Sequence, residues 1–324
     1  MVAPRIFDAR VHLLPDSVTK LIWKNYAREA WEVRYQLLAT ATLDFLDAHG
    51  VEKVAGICYA SQPGIASFLN DFMAGLHARR PAQVVPFGTV HPGDDDCARE
   101  VVRVLDTLGF VGIKLHCHLF RMAPDDPALA SIFDIAAERN KIINLHSGAV
   151  TKNNVRLDAV RAFCNVDRFR RALRRRPALR IIVPHIGYDE VQAYLDLMDE
   201  FPNLHFDTAM AFGGHRVAIG ETIPDVRPLA LARYPCGARP PLPDRWRPAL
   251  EQLVPQMEAR PTRFLYGSDF PYVPYDWDLE IRQLTRYLSP DVLARVLWDN
   301  AVALFGAARE ATRETAAAPQ GVEE

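Results

Sequence analysis

Eight short apolar runs, separated by amphipathic stretches, are the feature that most constrains how this chain of 324 residues can fold. Strands this apolar, each followed by a helical crossover, indicate a parallel sheet that is covered on both faces. Eight such units in one chain of this length predict a single (β/α)8 TIM barrel of the α/β class. The predicted strands span residues 5–12, 53–60, 84–91, 109–116, 141–147, 180–187, 204–210 and 263–270.

A doubly wound open sheet is the main alternative to a barrel, because it also alternates strands with helices. That fold usually carries a glycine-rich, phosphate-binding turn after its first strand. The sequence at the end of the first predicted strand, FDARVHLLPDS, contains no glycine. The barrel is therefore the preferred architecture.

Two segments are long for the loops of a barrel, and both are expected at the face where the strands end. Residues 15–39 follow the first strand and have a helical pattern, whereas residues 211–249 follow the seventh strand and are rich in proline and glycine. We interpret both as lids or dimer contacts that shape a substrate pocket, and we expect a homodimer. Residues 1–306 form the predicted catalytic barrel, and residues 307–324 form a predicted disordered tail.

The composition argues against several classes of function. A net charge of −2 gives no indication of a nucleic-acid partner. No apolar run approaches the roughly 20 residues that a membrane helix requires, and the first strand begins too early for a signal peptide. The five cysteines are odd in number and form no C-x-x-C pair, which favours reduced thiols. We therefore expect a cytoplasmic protein that acts on a small molecule, with neither nucleic acid nor a membrane as partner.

Five of the predicted strands end on a residue that can take part in chemistry. In a barrel the side chains at strand ends converge on one mouth, so residues distant in sequence meet in space. A single histidine at such a position is more often a core residue that bonds a carbonyl. Four histidines and an aspartate, each from a different strand, instead indicate one shared site, formed by His12, His116, His146, His185 and Asp269.

Several motifs around these residues are similar to those of a known family. They are DARVH at the end of the first strand, INLHSG around His146, IIVPHIGYDE around His185, FLYGSDFPY around Asp269, and the later DNAVALFG. Together they resemble the amidohydrolase superfamily, in particular its amidohydrolase-related branch of metal-dependent hydrolases and decarboxylases. The resemblance extends from residue 6 to about residue 306.

The resemblance implies a single divalent metal ion, commonly zinc, at the barrel mouth. In the family its ligands are a pair from the first strand, the fifth-strand histidine and the eighth-strand aspartate, which here leaves His12, His146 and Asp269. The resemblance also implies that Asp269 acts as general base and that His185 orients the attacking water or the substrate. A zinc ion would lower the pKa of that water to about 7.

Arg10 departs from the family pattern, in which the first strand usually carries His-x-His. A guanidinium stays protonated and offers no lone pair, so Arg10 cannot bind a metal ion and would repel one nearby. Strand alternation places Asp8, Arg10 and His12 on one side, which predicts an interior Arg10. There it would compete for the Asp269 carboxylate, and it could polarise a carbonyl or clamp a substrate carboxylate. The sequence leaves open whether a metal ion is bound.

Three residues are candidates for contact with the substrate. GIKLHCHLF contains His116 and His118, a literal His-x-His, but this segment ends a strand in which only alternate residues point inward. The family carries a similar Gly-x-Lys-Leu-His stretch in its pocket wall, so we favour substrate contact by His116 and Lys114 over metal binding. Asp207, in HFDTAM, resembles the family's Phe-Asp-Thr segment and could also touch the pocket.

Three functions remain, in order of preference. The first is hydrolysis of an ester, lactone or amide by activated water, with Asp269 as base and His185 and Arg10 as electrophilic groups. The second is non-oxidative decarboxylation of an aromatic or unsaturated acid, for which Arg10 suits the carboxylate. The third is a non-catalytic barrel that binds a ligand. An anionic aromatic substrate would suit the aromatic residues of the first long segment, Trp23, Tyr26, Trp31 and Tyr35.

Overall fold

The computed structural model describes residues 4–29, 31–148, 160, 162–212 and 250–317, and its centre is a sheet of eight parallel strands. Each strand pairs with the next along the chain, in the order β1 to β8, which confirms the predicted (β/α)8 barrel. The strands are β1 Ile6–His12, β2 Val51–Ile57, β3 Val84–Thr89, β4 Gly112–His116, β5 Ile142–His146, β6 Arg180–Val183, β7 Leu204–Asp207 and β8 Phe264–Leu265.

Main-chain hydrogen bonds between β1 and the residues that follow β8 close the barrel. The His12 amide donates to the Phe270 carbonyl at 2.8 Å, and the Asp269 amide donates to the Arg10 carbonyl at 3.1 Å. Val11 also pairs in parallel with Phe270. This seam places Arg10 beside Asp269, although 259 positions separate the two residues in the sequence.

The pairing of β1 with β2 is irregular just before the site. Asp8 pairs with Val54 and Val11 pairs with Gly56, so three steps along β1 correspond to two steps along β2. The Asp8 carboxyl group accepts the Arg10 amide at 3.0 Å and thereby bridges this irregularity. Strict alternation through β1 is therefore interrupted, but Arg10 lies in the interior as expected, with 2% of its surface exposed.

Helices surround the sheet, in the stretches of chain that separate the strands. Short π-helical turns continue two of them, over Arg103–Thr107 and Arg295–Asp299. No helix among the described residues is both long enough and apolar enough to cross a membrane. The α-helices are α1 Asp16–Glu29, α2 Ala39–Ala48, α3 Ala66–Arg79, α4 Cys97–Val102, α5 Cys117–Phe120, α6 Ala130–Glu138, α7 Val166–Arg174, α8 Val191–Asp196, α9 Leu250–Ala259, α10 Leu279–Tyr287, α11 Pro290–Ala294 and α12 Asn300–Ala317.

The two long segments differ in how much of each the structure describes. Residues 15–39 contain α1, which agrees with their helical pattern. Of residues 211–249, only 211 and 212 belong to the described part of the chain. The lid interpretation of this second segment therefore lies outside the described residues, and the homodimer stays a prediction.

Helix α12 packs across the amino ends of the strands. Phe305 of this helix lies 5.2 Å from the Phe7 ring and 5.7 Å from the Phe87 ring, measured between centroids. The helix continues beyond residue 306, where the sequence placed the end of the barrel domain. Ala308 is buried, and its carbonyl accepts a 2.8 Å hydrogen bond from Lys141 Nζ. The packed chain thus extends past the predicted boundary, and residues 318–324 of the predicted tail lie outside the described residues.

Candidate active site

The residues that the sequence assigned to the site all lie at the carboxyl end of the barrel. They are buried, except for His116, which is half-buried. The structure therefore brings these side chains together, while their individual roles stay predictions. β1 carries Arg10 and His12, β4 carries Lys114 and His116, β5 carries His146, β7 carries Asp207, and His185 and Asp269 follow β6 and β8.

The guanidinium of Arg10 lies at the centre of this cluster. Its Nε donates to Asp269 Oδ1 at 2.6 Å, and its Nη1 is 3.6 Å from Asp207 Oδ2. Its Nη2 is 3.5 Å from His146 Nδ1. A buried cation is costly unless it is paired, and here two carboxyl groups lie against it. Arg10 thus holds a permanent positive charge inside the barrel mouth.

Asp269 is an ionised carboxylate. Its Oδ1 accepts one hydrogen bond from Arg10 Nε at 2.6 Å and a second from His12 Nε2 at 2.8 Å. Burial by itself would raise the pKa of Asp269, but the charge of Arg10 and then His12 hold it well below its usual value. The backbone of Asp269 is left-handed, with φ of 62°, which costs about 1–2 kcal/mol for a residue other than glycine. At neutral pH this side chain can accept a proton but has none to donate.

Asp207 has the opposite character. Its Oδ1 accepts the amides of His185 at 3.0 Å and Ala209 at 3.2 Å, while its Oδ2 is buried and has no hydrogen-bond partner in the described structure. Burial raises the pKa of Asp207 above its usual value, although the charge of Arg10 opposes this shift. Two carboxyl groups on either side of Arg10 therefore have pKa values displaced in opposite directions.

The backbone fixes the tautomer of His185. The Nδ1 atom of its ring is 2.9 Å from the Ala209 carbonyl oxygen, and a carbonyl can only accept, so Nδ1 carries the proton. The other nitrogen, Nε2, then holds a free lone pair. Burial is the main reason that the pKa of His185 falls to about 3, so the ring is neutral at pH 7. His185 can accept a proton or a hydrogen bond through Nε2.

Lys114 precedes His116 by two residues on β4 and therefore lies deeper in the barrel. Its hydrogen-bond partner is Asn144, which the sequence reasoning missed. Lys114 Nζ donates to Asn144 Oδ1 at 2.9 Å, and both side chains are fully buried. Burial, followed by the charge of Arg10, holds the pKa of Lys114 well below its usual value. Asn144 precedes His146 by two residues on β5, so the period of a strand was sufficient to identify it.

Tyrosine side chains form the wall around the site, and three of them were missed by the sequence reasoning. The His12 ring lies 5.2 Å from Tyr272 and 5.7 Å from Tyr59, and the His185 ring lies 4.8 Å from Tyr188, all between centroids. Tyr59 and Tyr272 follow the ends of β2 and β8, and Tyr188 lies in the 3-10 turn that follows β6. Only their spacing from the strand ends indicated that they could reach the mouth.

Helix α1 and the residues after it cover this aromatic wall. The Tyr26 ring of α1 lies 5.8 Å from Tyr272 and 5.5 Å from Trp31. Trp31 Nε1 donates to the Tyr272 carbonyl at 2.8 Å, and only 9% of Trp31 is exposed. The first long segment thus packs against the tyrosine wall of the site, and its role in shaping a substrate pocket stays a prediction.

Three histidines form a second group at the ends of β4 and β5. The rings of His116 and His146 stack at 3.9 Å with 10° between their planes, because the two residues are register partners in the sheet. His118, in α5, lies 5.4 Å from the first ring and 5.3 Å from the second. The sequence reasoning favoured substrate contact over metal binding for this His-x-His and gave His118 no role. A helix begins directly after His116, so the first turn of α5, not strand alternation, sets the position of His118.

The predicted metal ligands His12, His146 and Asp269 do not fit a metal ion as they are arranged. Asp269 Oδ1 already accepts from both Arg10 and His12, and the proton on His12 Nε2 leaves that nitrogen no lone pair for an ion. Arg10 also contacts His146, so its guanidinium lies among all three residues. A dication placed there would meet a fixed positive charge at close range. This ligand set stays a prediction that requires Arg10 to move.

Comparison with known proteins places the chain in a family. The amidohydrolase family model matches residues 7–307, and the chain therefore belongs to the amidohydrolase family. This confirms the resemblance seen in its motifs. A search among curated proteins found no match.

Solved structures share the fold at low sequence identity. An uncharacterized TIM-barrel protein from Bordetella bronchiseptica has a TM-score of 0.66 and 17% identity, covering 94% of this chain and 99% of that one. A 2,6-dihydroxybenzoate decarboxylase from Rhizobium has a TM-score of 0.63 and 16% identity, with coverage of 94% and 99%. A dihydroxybenzoic acid decarboxylase from Polaromonas, solved with bound manganese and the inhibitor 2-nitroresorcinol, has a TM-score of 0.63 and 16% identity, with coverage of 94% and 97%. At these identities the likeness establishes the fold alone.

Proposed function

We propose that this protein is a non-oxidative decarboxylase of a small aromatic acid that carries a hydroxyl group next to its carboxylate. The observation that carries the proposal is the buried Arg10, flanked by two carboxyl groups with opposite pKa shifts. Environments that displace the pKa values of two carboxyl groups in opposite directions give the groups different roles. Asp207, with the raised pKa, supplies a proton, whereas the ionised Asp269 holds Arg10 in place.

Arg10 provides the positive charge that a substrate carboxylate requires. Its Nη1 is buried and makes no hydrogen bond within the described structure, which leaves a donor for a ligand. His146 Nε2 is buried and equally without a partner. The surrounding tyrosines offer flat apolar surfaces on which an aromatic ring packs. The site therefore combines a cationic centre with aromatic walls, as an aromatic acid requires.

The reaction exchanges the carboxylate for a proton. His185 Nε2 accepts the proton of the neighbouring hydroxyl, which raises the electron density at the carbon that carries the carboxylate. Asp207 Oδ2 donates a proton to that carbon. The carbon–carboxylate bond then breaks, its electron pair restores the aromatic ring, and carbon dioxide leaves. His185 returns its proton to the phenolate, and Asp207 regains one from solvent.

The comparisons support decarboxylation more than the hydrolysis that the sequence reasoning placed first. Two of the similar structures are decarboxylases of dihydroxybenzoic acids, and the name of one substrate, 2,6-dihydroxybenzoate, places a hydroxyl on each side of the carboxylate. The family match supports an enzyme rather than a ligand-binding barrel. Decarboxylation is the reaction of those neighbours, and it is also the reaction that we propose for Asp207 as acid and His185 as base.

Hydrolysis of an ester, lactone or amide is the second candidate, and one observation favours it. Asp269 and His185 Nε2 are both proton acceptors, which is what activation of a water molecule requires. Arg10 would then polarise the carbonyl. Hydrolysis can begin without the proton held by Asp207, whereas decarboxylation depends on it, so a variant of Asp207 distinguishes the two reactions.

The test uses full-length protein and two substrate panels. Hydroxybenzoic acids labelled with carbon-13 in the carboxyl group are supplied in deuterated water, and aromatic esters and lactones are supplied separately. We expect labelled carbon dioxide and one deuterium at the vacated ring carbon. Ester or lactone cleavage without carbon dioxide would replace the proposal with the second candidate. A folded protein that converts neither panel would contradict both.

Asp207→Asn is the informative variant, because its side-chain oxygen can still accept the His185 and Ala209 amides. We expect it to lower decarboxylation by at least about 100-fold, a typical contribution of a general acid. Asp199→Asn is the matched control, since Asp199 is an exposed residue paired with Arg260. Full decarboxylase activity in Asp207→Asn would refute the assignment of the acid.

A further inference from the structure

We propose that His116, His118 and His146 bind a divalent transition-metal ion at a position displaced from the predicted ligands His12, His146 and Asp269. One ring nitrogen from each histidine of this trio lies within 4.8 Å of the other two. The inference does not rest on the proposed reaction, because metal binding is measured without any substrate.

The fold explains why the three rings meet. His116 and His146 are register partners at the ends of neighbouring strands, so their rings lie face to face. α5 begins at Cys117, directly after β4, and its first turn brings His118 back towards both rings. Two rigid strand ends and one helical turn thus supply the three side chains.

One of the three rings already makes the hydrogen bond that suits a metal ligand, and a second offers a buried nitrogen. His118 Nε2 lies 2.5 Å from the Gly148 carbonyl, so Nε2 carries the proton and Nδ1 holds a lone pair. Metal-bound histidines usually donate their other N–H to a carbonyl or carboxylate in this way. His146 Nε2 is buried and has no hydrogen-bond partner within the described structure. Arg10 Nη2 can only donate, so while it contacts Nδ1 the neutral His146 ring carries its proton on Nε2. An ion at Nε2 therefore requires that proton to move to Nδ1, which breaks the 3.5 Å contact with Arg10. A buried polar nitrogen without a partner is costly, and an ion bound there would take the place of the proton.

The charges also favour this position over the predicted one. Arg10 lies on the Nδ1 side of His146, so an ion at Nε2 would have the imidazole ring between itself and the guanidinium. No carboxylate belongs to the trio. Ligand sets made only of imidazoles suit zinc, cobalt, nickel or copper rather than magnesium or manganese.

Binding requires a local movement of the rings. Metal–nitrogen bonds of about 2.0–2.1 Å hold tetrahedral ligand atoms about 3.4 Å apart, so the nitrogens must approach one another. His116 and His146 now stack with nearly parallel planes, and at least one ring must rotate to direct its lone pair at the ion. Three histidines would leave the fourth position open to water or to a substrate oxygen.

The experiment is a titration of metal-stripped, full-length protein with cobalt(II), followed by its visible absorption bands and by calorimetry. We expect one ion per chain, displaced by zinc. His118→Ala should weaken binding by at least about tenfold, since even the loss of an outer-shell partner of a ligand often costs 10–100-fold in metal affinity. His12→Gln should retain the affinity, because His12 lies outside the trio.

The opposite pattern would overturn the proposal. If His12→Gln abolishes binding while His118→Ala leaves it unchanged, the ion lies at the predicted ligands and Arg10 has moved. A chain that binds no cobalt or zinc also overturns it. Should His118→Ala fail to fold, the anomalous diffraction of zinc-loaded crystals locates the ion directly, either among the three rings or beside Asp269.

Discussion

Arg10 and Asp269 are joined twice across the seam that closes the barrel. The side chains share a 2.6 Å hydrogen bond from Nε to Oδ1, and the Asp269 amide donates to the Arg10 carbonyl at 3.1 Å. The family pattern usually places a metal-binding histidine at position 10. In this chain an ion pair occupies the same part of the barrel mouth, so one contact serves both barrel closure and the charge of the site.

We expect Arg10→Met to destabilise the protein by about 3–5 kcal/mol, because it leaves Asp269 buried without its cation. The double variant Arg10→Met, Asp269→Asn should cost less than the sum of the two single changes. Urea unfolding of the four proteins measures this coupling. Strictly additive free energies would show that the pair contributes nothing beyond its separate residues.

Asp8 should make stability fall as the pH rises. Burial raises the pKa of Asp8 from 3.8 to about 7 in the folded chain. The folded protein therefore keeps a proton that the unfolded chain releases, and this contribution is complete below about pH 4 and is lost as the pH rises through about 7. Asp8→Asn should remove this part of the pH dependence, since its oxygen can still accept the Arg10 and Ser268 amides. Parallel stability profiles for the two proteins, measured by urea unfolding, would refute the shift.

His185→Gln should lower kcat by about 10²–10⁴-fold, the usual contribution of a general base, with a smaller effect on KM. The matched control is His205→Gln, because His205 is a half-buried histidine at the start of β7 whose Nδ1 lies 3.1 Å from the Asn203 carbonyl. Steady-state kinetics on the substrate identified in the panel provide the measurement. Equal losses in both variants would indicate a structural effect rather than a role for His185 Nε2.

Arg10→His should create a metal position at His12, His146 and Asp269, because it removes the guanidinium that lies among them. Elemental analysis and cobalt titration should then show tighter metal uptake that no longer depends on His118. Unchanged metal uptake would count against the placement of Arg10 beside these residues.

Much of the fold was predictable because it follows from local patterns. Apolar strands alternating with amphipathic helices identified the barrel, and the barrel in turn placed His12, His146, His185 and Asp269 at one mouth. The family match over residues 7–307 confirms the resemblance that the motifs suggested. Neither result required knowledge of any side-chain contact.

Contacts that depend on a few irregular residues were not predictable in the same way. The register shift in β1 is bridged by an Asp8 side chain, which no periodic pattern reveals. His118 joins the histidine group through the first turn of the helix that begins immediately after β4, and the sequence did not indicate that turn. Asp207 was expected at the pocket, yet its bonds to the His185 and Ala209 amides depend on a turn with left-handed residues. Such details are set by tertiary packing rather than by local propensity.

The seam also has a consequence during biosynthesis. Arg10 belongs to the first strand and Asp269 lies 259 positions later, so a ribosome must deliver all eight strands before the ion pair can form. Until then the nascent chain exposes an unpaired sheet edge on β1 and leaves Arg10 without its Asp269 partner, features that invite chaperones or wrong partners. A chain released before β8 is complete would expose both of these features, and closure of the barrel buries them.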